Sequence, residues 1–241
     1  MARIPETPEE IFIEFTDDYK KAYGEKLESI VLYGSGAKGQ YIAGQSDLNF
    51  LLILSPDGIS YLDRALPLVQ KWRKRNVAVP LILTRNYIES ALDTFPIEFL
   101  DMRQFHTVVY GEDPLQSISI GKRDLRHQIE RELRGKLVYL RAGFLGTGID
   151  REALREMIAS SVPAFAAIFS ALLFLKDEES QKSRSETMKR VCEVFGLDAS
   201  TIQTVLNVRS DSWRGSTVQL QELTQRYIAE IRKLVELVDK M

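Results

Sequence analysis

Two apolar segments joined by a polar, glycine-rich connection constrain the fold of the first part of this chain most strongly. Residues 27–33 (Leu-Glu-Ser-Ile-Val-Leu-Tyr) carry the β-branched side chains typical of a strand. Residues 48–54 (Leu-Asn-Phe-Leu-Leu-Ile-Leu) are apolar on both faces, as expected for a strand inside a sheet. The connection starts with Gly34 and Ser35, and it predicts a turn, a short helix and a second strand that opens with Asp47.

Up to about residue 111, short apolar runs alternate with helical stretches. The pattern predicts strands over residues 77–83 and 97–102, and helices over residues 8–23, 59–75 and 86–94. Thr7 and Glu10 fit a capping box at the first helix, and Pro67 predicts a kink in the second. A loop is expected over residues 110–114.

From residue 122 onward the pattern changes to long segments with a helical period. One helix face is formed by Leu125, Ile129, Leu133, Leu137, Leu140 and Phe144. This helix is expected to end at the glycines 143, 146 and 148, and others to follow over residues 151–175 (kinked at Pro163), 185–195, from about 199, and from 216. The predicted fold class is α+β, with a mixed-sheet domain over residues 1–115 and a helical bundle over residues 120–241.

Composition argues against several classes of function. The formal net charge of −2 gives the 241-residue chain no overall attraction to nucleic acid. The single cysteine, Cys192, forms no internal disulfide, which favours a reducing cytoplasm and a core position. The two histidines, His106 and His127, lack partners at metal-ligand spacing, which argues against zinc. The N-terminus does not resemble a signal peptide, and no stretch approaches the roughly 20 apolar residues of a membrane helix, so no membrane partner is expected.

The connection between the first two strands has the residues needed to bind phosphate. Backbone N–H groups at a Gly34-Ser35 turn can approach phosphate oxygens closely, and the Ser35 hydroxyl adds a donor. Lys38 supplies a positive charge, and Asp47, preceded by Ser46, opens the next strand at the same end. These residues, Ser46 included, predict a phosphate-binding site.

A strand, a Gly-Ser turn and an acid-bearing second strand about a dozen residues later resemble the nucleotidyltransferase superfamily, of the DNA polymerase beta-like or kanamycin nucleotidyltransferase-like kind. The resemblance covers about residues 28–112, and a following helical domain suits several subfamilies. It implies ATP or another NTP as substrate, Mg²⁺ as cofactor, and transfer of the nucleotidyl group to a hydroxyl acceptor. It also implies two carboxylates spaced by one residue and a third on a neighbouring strand, with the metal ligands at Asp47, Asn49 and Glu98.

The third acid is expected on residues 97–102. Glu98 and Asp101 lie three residues apart and would face opposite sides of a strand. Glu98 is favoured over Asp101 as a catalytic acid, together with Asp47, because a carboxylate between the core-like Ile97 and Phe99 needs a reason.

Asn49 departs from the superfamily pattern, since the resemblance places an aspartate there. A neutral amide is a poorer ligand than a carboxylate for a hard dication. Three readings follow: a working nucleotidyltransferase that relies on Asp47 and Glu98, a weakened or inactive nucleotide-binding regulatory module, or an antitoxin-like protein-binding module. The acceptor, whether a small molecule, a protein or an RNA end, and a homodimer through the long helices are left open.

Two further features have competing readings. The basic run at residues 71–75 could contact a phosphate backbone, with Trp72 stacking on a base, but it also fits the charged end of an amphipathic helix. His127 fits a helix-surface position better than a nuclease base.

Overall fold

A mixed four-stranded sheet organises the first part of this computed structural model, which describes residues 3–179, 183–208 and 213–241. The strands are β1 (Leu27–Tyr33), β2 (Asn49–Leu54), β3 (Leu81–Leu83) and β4 (His106–Gly111), in the spatial order β3-β2-β1-β4. β1 pairs antiparallel with both β2 and β4, whereas β2 pairs parallel with β3. The prediction of two central strands around the glycine-rich connection is therefore confirmed.

An aromatic cluster packs the first helix, α1 (Phe12–Tyr23), against the sheet. The ring of Phe15 stacks on Phe50 of β2 with 4.2 Å between centroids, and Trp72 meets Phe15 edge-on at 5.1 Å. All three side chains are buried, and such aromatic pairs add to the free energy gained by burial alone. This packing fixes β2, and with it the position of the residues that open the strand.

The helices around the sheet differ in detail from the prediction. α2 (Leu66–Arg73) follows an irregular 3-10 segment, Gly58–Ala65, and Pro67 lies in the first turn of α2 instead of kinking a longer helix. α3 spans Arg85–Ala91 and is capped by the Thr84 hydroxyl, which accepts from the Tyr87 backbone N–H. The predicted capping box at the first helix is wrong, because Thr7 makes no side-chain cap and the Glu10 carboxylate accepts from the Glu6 backbone instead.

The predicted strand over residues 97–102 is wrong: this segment is a helix, α4 (Pro96–Gln104). Pro96 lies in its first turn, where a missing N–H and a fixed φ suit a helix start. The fourth strand of the sheet, β4, comes directly after this helix and covers part of the predicted loop. It contains the β-branched Thr107, Val108 and Val109. A short apolar run such as residues 97–102 fits a buried strand and a buried helix equally well.

The second part of the chain is helical, as predicted. Its helices are α5 (Lys122–Thr147), α6 (Arg151–Leu175), α7 (Arg184–Phe195), α8 (Ala199–Val208) and α9 (Thr217–Asp239). α5 continues through Gly143 and Gly146 and ends at Gly148, whose φ of 57° lies in the left-handed region. Ser183 and Ser216 form capping boxes at α7 and α9, and Gly196 ends α7 with φ of 63°. The predicted α+β class is confirmed.

α6 is long and apolar enough to cross a membrane by length and composition, so the expectation that no such stretch exists is wrong. Its side chains Leu154, Ile158, Phe165 and Phe169 are nevertheless buried, and the helix packs against α5, α7, α8 and α9. This is the behaviour of a core helix in a bundle. Cys192 is buried in the same unit, which confirms its predicted core position.

The described chain divides into two compact units. One comprises residues 1–95 and 99–120, and the other comprises residues 96–98 and 121–241. The boundary therefore falls within α4, whose first three residues group with the helical unit.

Candidate nucleotide-binding loop

Residues 34–39, here called the glycine loop, connect the end of β1 to the segment that leads into β2. The Lys38 backbone N–H donates to the Gly34 carbonyl at 3.1 Å, and that of Gln40 to Ser35 at 2.9 Å. Residues 34–48, all of which the structure describes, contain turns and no helix, so the short helix predicted there is wrong. The reason is backbone geometry: Gly34 and Gly39 have φ of 73° and 68°, in the left-handed region that ends a right-handed helix.

Two glycines let the glycine loop lie close to the sheet. A Cβ at Gly36 would lie 3.2 Å from side-chain carbons of Leu32 and Leu48, and one at Gly34 would lie 3.3 Å from the Asn49 amide nitrogen. A larger side chain at either position would push these neighbours away. The sequence thus holds the loop at the end of β1 and beside the residue that opens β2.

The glycine loop presents hydrogen-bond donors that the protein itself does not use. Within the described residues, the backbone N–H groups of Ser35, Gly36 and Ala37 and the Ser35 hydroxyl have no acceptor. These residues are partly exposed, so the donors are open to a ligand. Successive backbone N–H groups in a glycine-containing turn form a concave site for an anion, typically a phosphate.

Asp47 and Asn49 lie next to this loop but differ in their contacts. The exposed Asp47 carboxylate has no hydrogen bond or ion pair with any described residue. The Asn49 side-chain nitrogen lies 3.4 Å from the Asp47 backbone carbonyl, to which it donates. The Asn49 amide N–H₂ group therefore faces the Asp47 carbonyl and lies beside Gly34 of the glycine loop.

Ser46 stabilises the turn before Asp47. Its hydroxyl oxygen accepts from the Ile42 backbone N–H at 3.1 Å, and its own N–H donates to the Ile42 carbonyl at 2.8 Å. Ser46 thus has a structural role that sequence reasoning did not foresee, and its predicted contact with nucleotide stays a prediction.

A cleft beside Asp47 contains residues that sequence reasoning missed. It is lined by Asp47, Arg73, Asn76 and residues 77–79 (Val-Ala-Val). Asn76 adopts φ of 56°, and its carbonyl accepts from the Leu48 N–H at 2.8 Å, which ties this turn to the start of β2. The only signal in the sequence is that asparagine tolerates the left-handed region better than most residues.

The strand segment beside Asp47 carries no acid. Leu48 forms a parallel bridge with Val77, and the Ala78 N–H donates to the Leu48 carbonyl at 3.0 Å. The next residue, Val79, is 58% exposed although it is apolar. Residues 77–79 therefore place apolar side chains and no carboxylate beside Asp47.

Glu98 lies on α4, in the part of the chain that groups with the helical unit. Its carboxylate accepts from the Gln128 side-chain N–H₂ at 2.8 Å, and the Gln128 carbonyl oxygen accepts from the Ile97 backbone N–H at 2.8 Å. Gln128 is only 5% exposed, so these two bonds satisfy a buried amide. The strand position assigned to Glu98 is wrong, and its role as third acid stays a prediction.

Lys38 forms an ion pair with Asp101, the acid that was ranked second to Glu98. Its ammonium lies 2.6 Å from an Asp101 carboxylate oxygen and 4.9 Å from the centroid of the Phe105 ring. The two charged side chains are 22% and 25% exposed, so the pair is largely shielded from water. Lys38 therefore lies in the glycine loop with its charge matched by an acid of the protein, and its predicted contact with nucleotide stays a prediction.

The acids near the glycine loop do not form the magnesium site that the superfamily resemblance implies. Among the described residues, no group of three or more histidine, cysteine, aspartate or glutamate side chains could hold a metal ion. Asp47 is the one carboxylate at the start of β2, and the amide nitrogen of Asn49 is used as a donor. Mg²⁺ prefers a near-octahedral shell of oxygen ligands, so these residues do not fit a two-ion site.

Three of the five residues in the basic run at residues 71–75 contact acids of their own unit. Lys71 pairs with Glu14 and Asp18 at 2.8 and 2.6 Å, and Arg75 pairs with Glu14 at 2.6 Å. Trp72 is buried, and its indole N–H donates to Asp18 at 3.0 Å. A hydrogen bond from Lys71 lowers the pKa of Glu14, and hydrogen bonds to Asp18 and then Glu14 raise the pKa of Lys71. The basic residues Lys71 and Arg73 lie in the last turn of α2, which confirms the prediction of a charged helix end. The alternative, in which Trp72 stacks on a base, is wrong because Trp72 is buried.

His127 lies exposed on α5, which confirms its reading as a helix-surface residue. Its ring Nδ1 lies 3.0 Å from a guanidinium nitrogen of the neighbouring Arg126. The residue is therefore engaged by its own helix.

Comparison with known proteins gives a result at the level of the fold. No family model matches the chain, and no curated protein matches it. Among solved structures, the chain is similar to the spectinomycin adenyltransferase of Enterococcus faecialis, determined with ATP and spectinomycin. The two chains are 12% identical, with a TM-score of 0.54 over 91% of this chain and 99% of the other. The resemblance predicted from the sequence is confirmed for the fold: this protein has a nucleotidyltransferase fold with a helical C-terminal part.

Proposed function

We propose that this protein binds a nucleoside triphosphate, ATP or another NTP, at the glycine loop and transfers its nucleotidyl group slowly or not at all. The observation that carries the proposal is the set of unused donors on Ser35, Gly36 and Ala37. Buried or partly buried N–H groups without a partner favour an anionic ligand, because binding restores their hydrogen bonds. The solved neighbour with the same fold was determined with ATP, which supports this choice of ligand.

Weak transfer follows from the acids that are present. The superfamily pattern implies three carboxylates, but the start of β2 offers Asp47 and the neutral Asn49, and residues 77–79 offer none. One unit charge about 4 Å from a cation contributes about 4 kcal/mol at an effective dielectric near 20. A loss of that size from the transition state slows a reaction about a thousandfold. Binding that depends on backbone N–H groups is affected much less.

A second candidate is nucleotidyl transfer to a small-molecule hydroxyl acceptor in the cytoplasm. The neighbour was determined with both ATP and spectinomycin, and its whole length corresponds to this chain, which favours such an acceptor over a protein or an RNA end. In this case Asp47 remains one candidate catalytic acid and Glu98 another, although the described residues do not fit the two-ion Mg²⁺ site that the superfamily implies. The low identity of 12% leaves the acceptor itself unnamed.

Thermal unfolding with ATP, with magnesium and with both tests the binding step without knowledge of the acceptor. A ligand at 100 times its Kd adds about 2.7 kcal/mol, which raises the Tm of a chain of this size by several degrees. A shift with ATP is the expected outcome. Absence of a shift under every condition would contradict nucleotide binding.

Asn49→Asp tests the catalytic step. The variant restores the second acid of the pattern, so we expect it to release pyrophosphate from ATP at least tenfold faster than the wild-type protein when hydroxyl acceptors are supplied. Asn86→Asp is the matched control, because it makes the same chemical change at an exposed position on α3. A measurable wild-type rate that equals or exceeds that of Asn49→Asp would favour the second candidate and overturn weak transfer.

A further inference from the structure

Asp101 is placed to compete with a ligand for the only lysine of the glycine loop. The Lys38 backbone N–H closes the turn on Gly34, so the residue is part of the loop that carries the unused donors. Its ammonium nevertheless lies 2.6 Å from Asp101, near the C-terminal end of α4. A triphosphate bound at the loop would need the same ammonium.

We infer that Asp101 acts as an internal anion that occupies Lys38 and lowers the affinity of the glycine loop for the triphosphate. The inference rests on the proposed function and adds a regulatory contact to that site. An ammonium held at 2.6 Å by a carboxylate must leave it, or share its charge, before it can neutralise a phosphate. Part of the binding free energy is therefore spent on breaking an existing ion pair.

Phe105 would help the Lys38 ammonium to move from Asp101 to a phosphate. The Lys38 ammonium lies 4.9 Å from the Phe105 ring centroid, close enough for a cation–π contact. Phe105 follows Asp101 by one helical turn, and its N–H donates to the Asp101 carbonyl at 3.1 Å. The ring attracts the ammonium without using its N–H donors, so Lys38 can turn from Asp101 to a phosphate and stay in contact with Phe105.

Asp101→Asn tests the inference by calorimetric titration of the full-length protein with ATP. The amide keeps the size of the side chain but removes the charge, so we expect ATP to bind about tenfold more tightly, a change of about 1.4 kcal/mol. Adenosine, which lacks phosphates, should bind both proteins equally. In an Lys38→Met background, Asp101→Asn should give no gain, because the contested ammonium is gone.

Asp57→Asn is the matched control. Asp57 also pairs with a lysine of the same unit, Lys26, but at an exposed position outside the glycine loop, so the change in net charge is identical. We expect its ATP affinity to equal that of the wild-type protein. If the ATP affinity of Asp57→Asn rose as much as that of Asp101→Asn, the change in net charge alone would explain the effect, and the inference would be overturned.

The outcomes separate the inference from the proposed function. If the wild-type protein binds ATP and Asp101→Asn binds it equally or more weakly, Asp101 positions Lys38 instead of competing for it, and the inference fails alone. If neither protein nor any variant binds ATP, the proposed function fails and the inference fails with it. Circular dichroism of each variant checks that the fold is retained.

Discussion

At the scale of single residues, the sequence was most informative at the ends of the two central strands. Gly34, Ser35 and Asp47 could be placed from the strand pattern on either side, because a turn between two strands has few alternatives. The contact of Lys38 with Asp101 could not be foreseen, since these residues are 63 positions apart and α4 was taken for a strand. The pattern of neighbouring residues does not indicate which side chains far apart in the sequence form ion pairs.

Ser35→Ala should weaken the binding of ATP without changing the stability of the fold. The Ser35 hydroxyl has no partner within the described residues, so its removal leaves no protein group unsatisfied. We expect the free energy of unfolding to change by less than about 0.5 kcal/mol. ATP should bind about fivefold more weakly, the equivalent of one hydrogen bond of about 1 kcal/mol. Denaturation and ATP titration of the variant measure the two quantities, and an unchanged Kd would remove Ser35 from the site.

At the scale of elements, the helical unit could be predicted almost entirely and the end of the sheet could not. α6 and α7 begin and end within a residue of the prediction, because capping residues and glycines mark long helices clearly. α4 was predicted as a strand and part of β4 as a loop, because neither segment carries such clear signals. Both are short, both carry apolar residues, and their identity depends on the partners that tertiary structure supplies.

One such partner is Gln128, which satisfies the first turn of α4. Gln128→Ala removes the acceptor of the buried Ile97 N–H and the donor to Glu98. A buried donor left without a partner costs about 1 to 3 kcal/mol, and we expect urea denaturation to show a loss of that size. Gln203→Ala is the control, because Gln203 is exposed on α8, and its effect should stay below about 0.5 kcal/mol. Equal losses in the two variants would contradict the role given to Gln128.

At the scale of the whole molecule, the formal net charge of −2 does not reveal how the charges are arranged, as the basic run at residues 71–75 illustrates. Lys71 pairs with Glu14 and Asp18, and Arg75 pairs with Glu14, whereas Arg73 and Lys74 are exposed. The division of the chain was less accessible to sequence reasoning. A change of pattern near residue 120 is visible in the sequence, but the grouping of residues 96–98 with the helical unit depends on contacts such as that of Ile97 with Gln128.

Acid should weaken both units of the molecule, because each contains a carboxyl group whose pKa is depressed by folding. Burial alone would raise the pKa of Asp113, but hydrogen bonds from His106 and from the Leu115 N–H outweigh it and hold the pKa below its usual value. In the helical unit, hydrogen bonds from Thr201 and Ser200 lower the pKa of Asp198 from 3.8 to about 2.

A group with a lower pKa in the folded state stabilises the protein above its unfolded pKa, and this contribution is lost as the pH falls through the folded value. We therefore expect the free energy of unfolding to decrease between about pH 4 and pH 2. Asp198 is exposed, so solvent screening limits its share to less than about 1 kcal/mol. Urea denaturation at several pH values in this range measures the decrease. Asp113→Asn and Asp198→Asn cannot titrate, and each should show a shallower decrease than the wild-type protein, whereas equal slopes in all three would contradict the assignment.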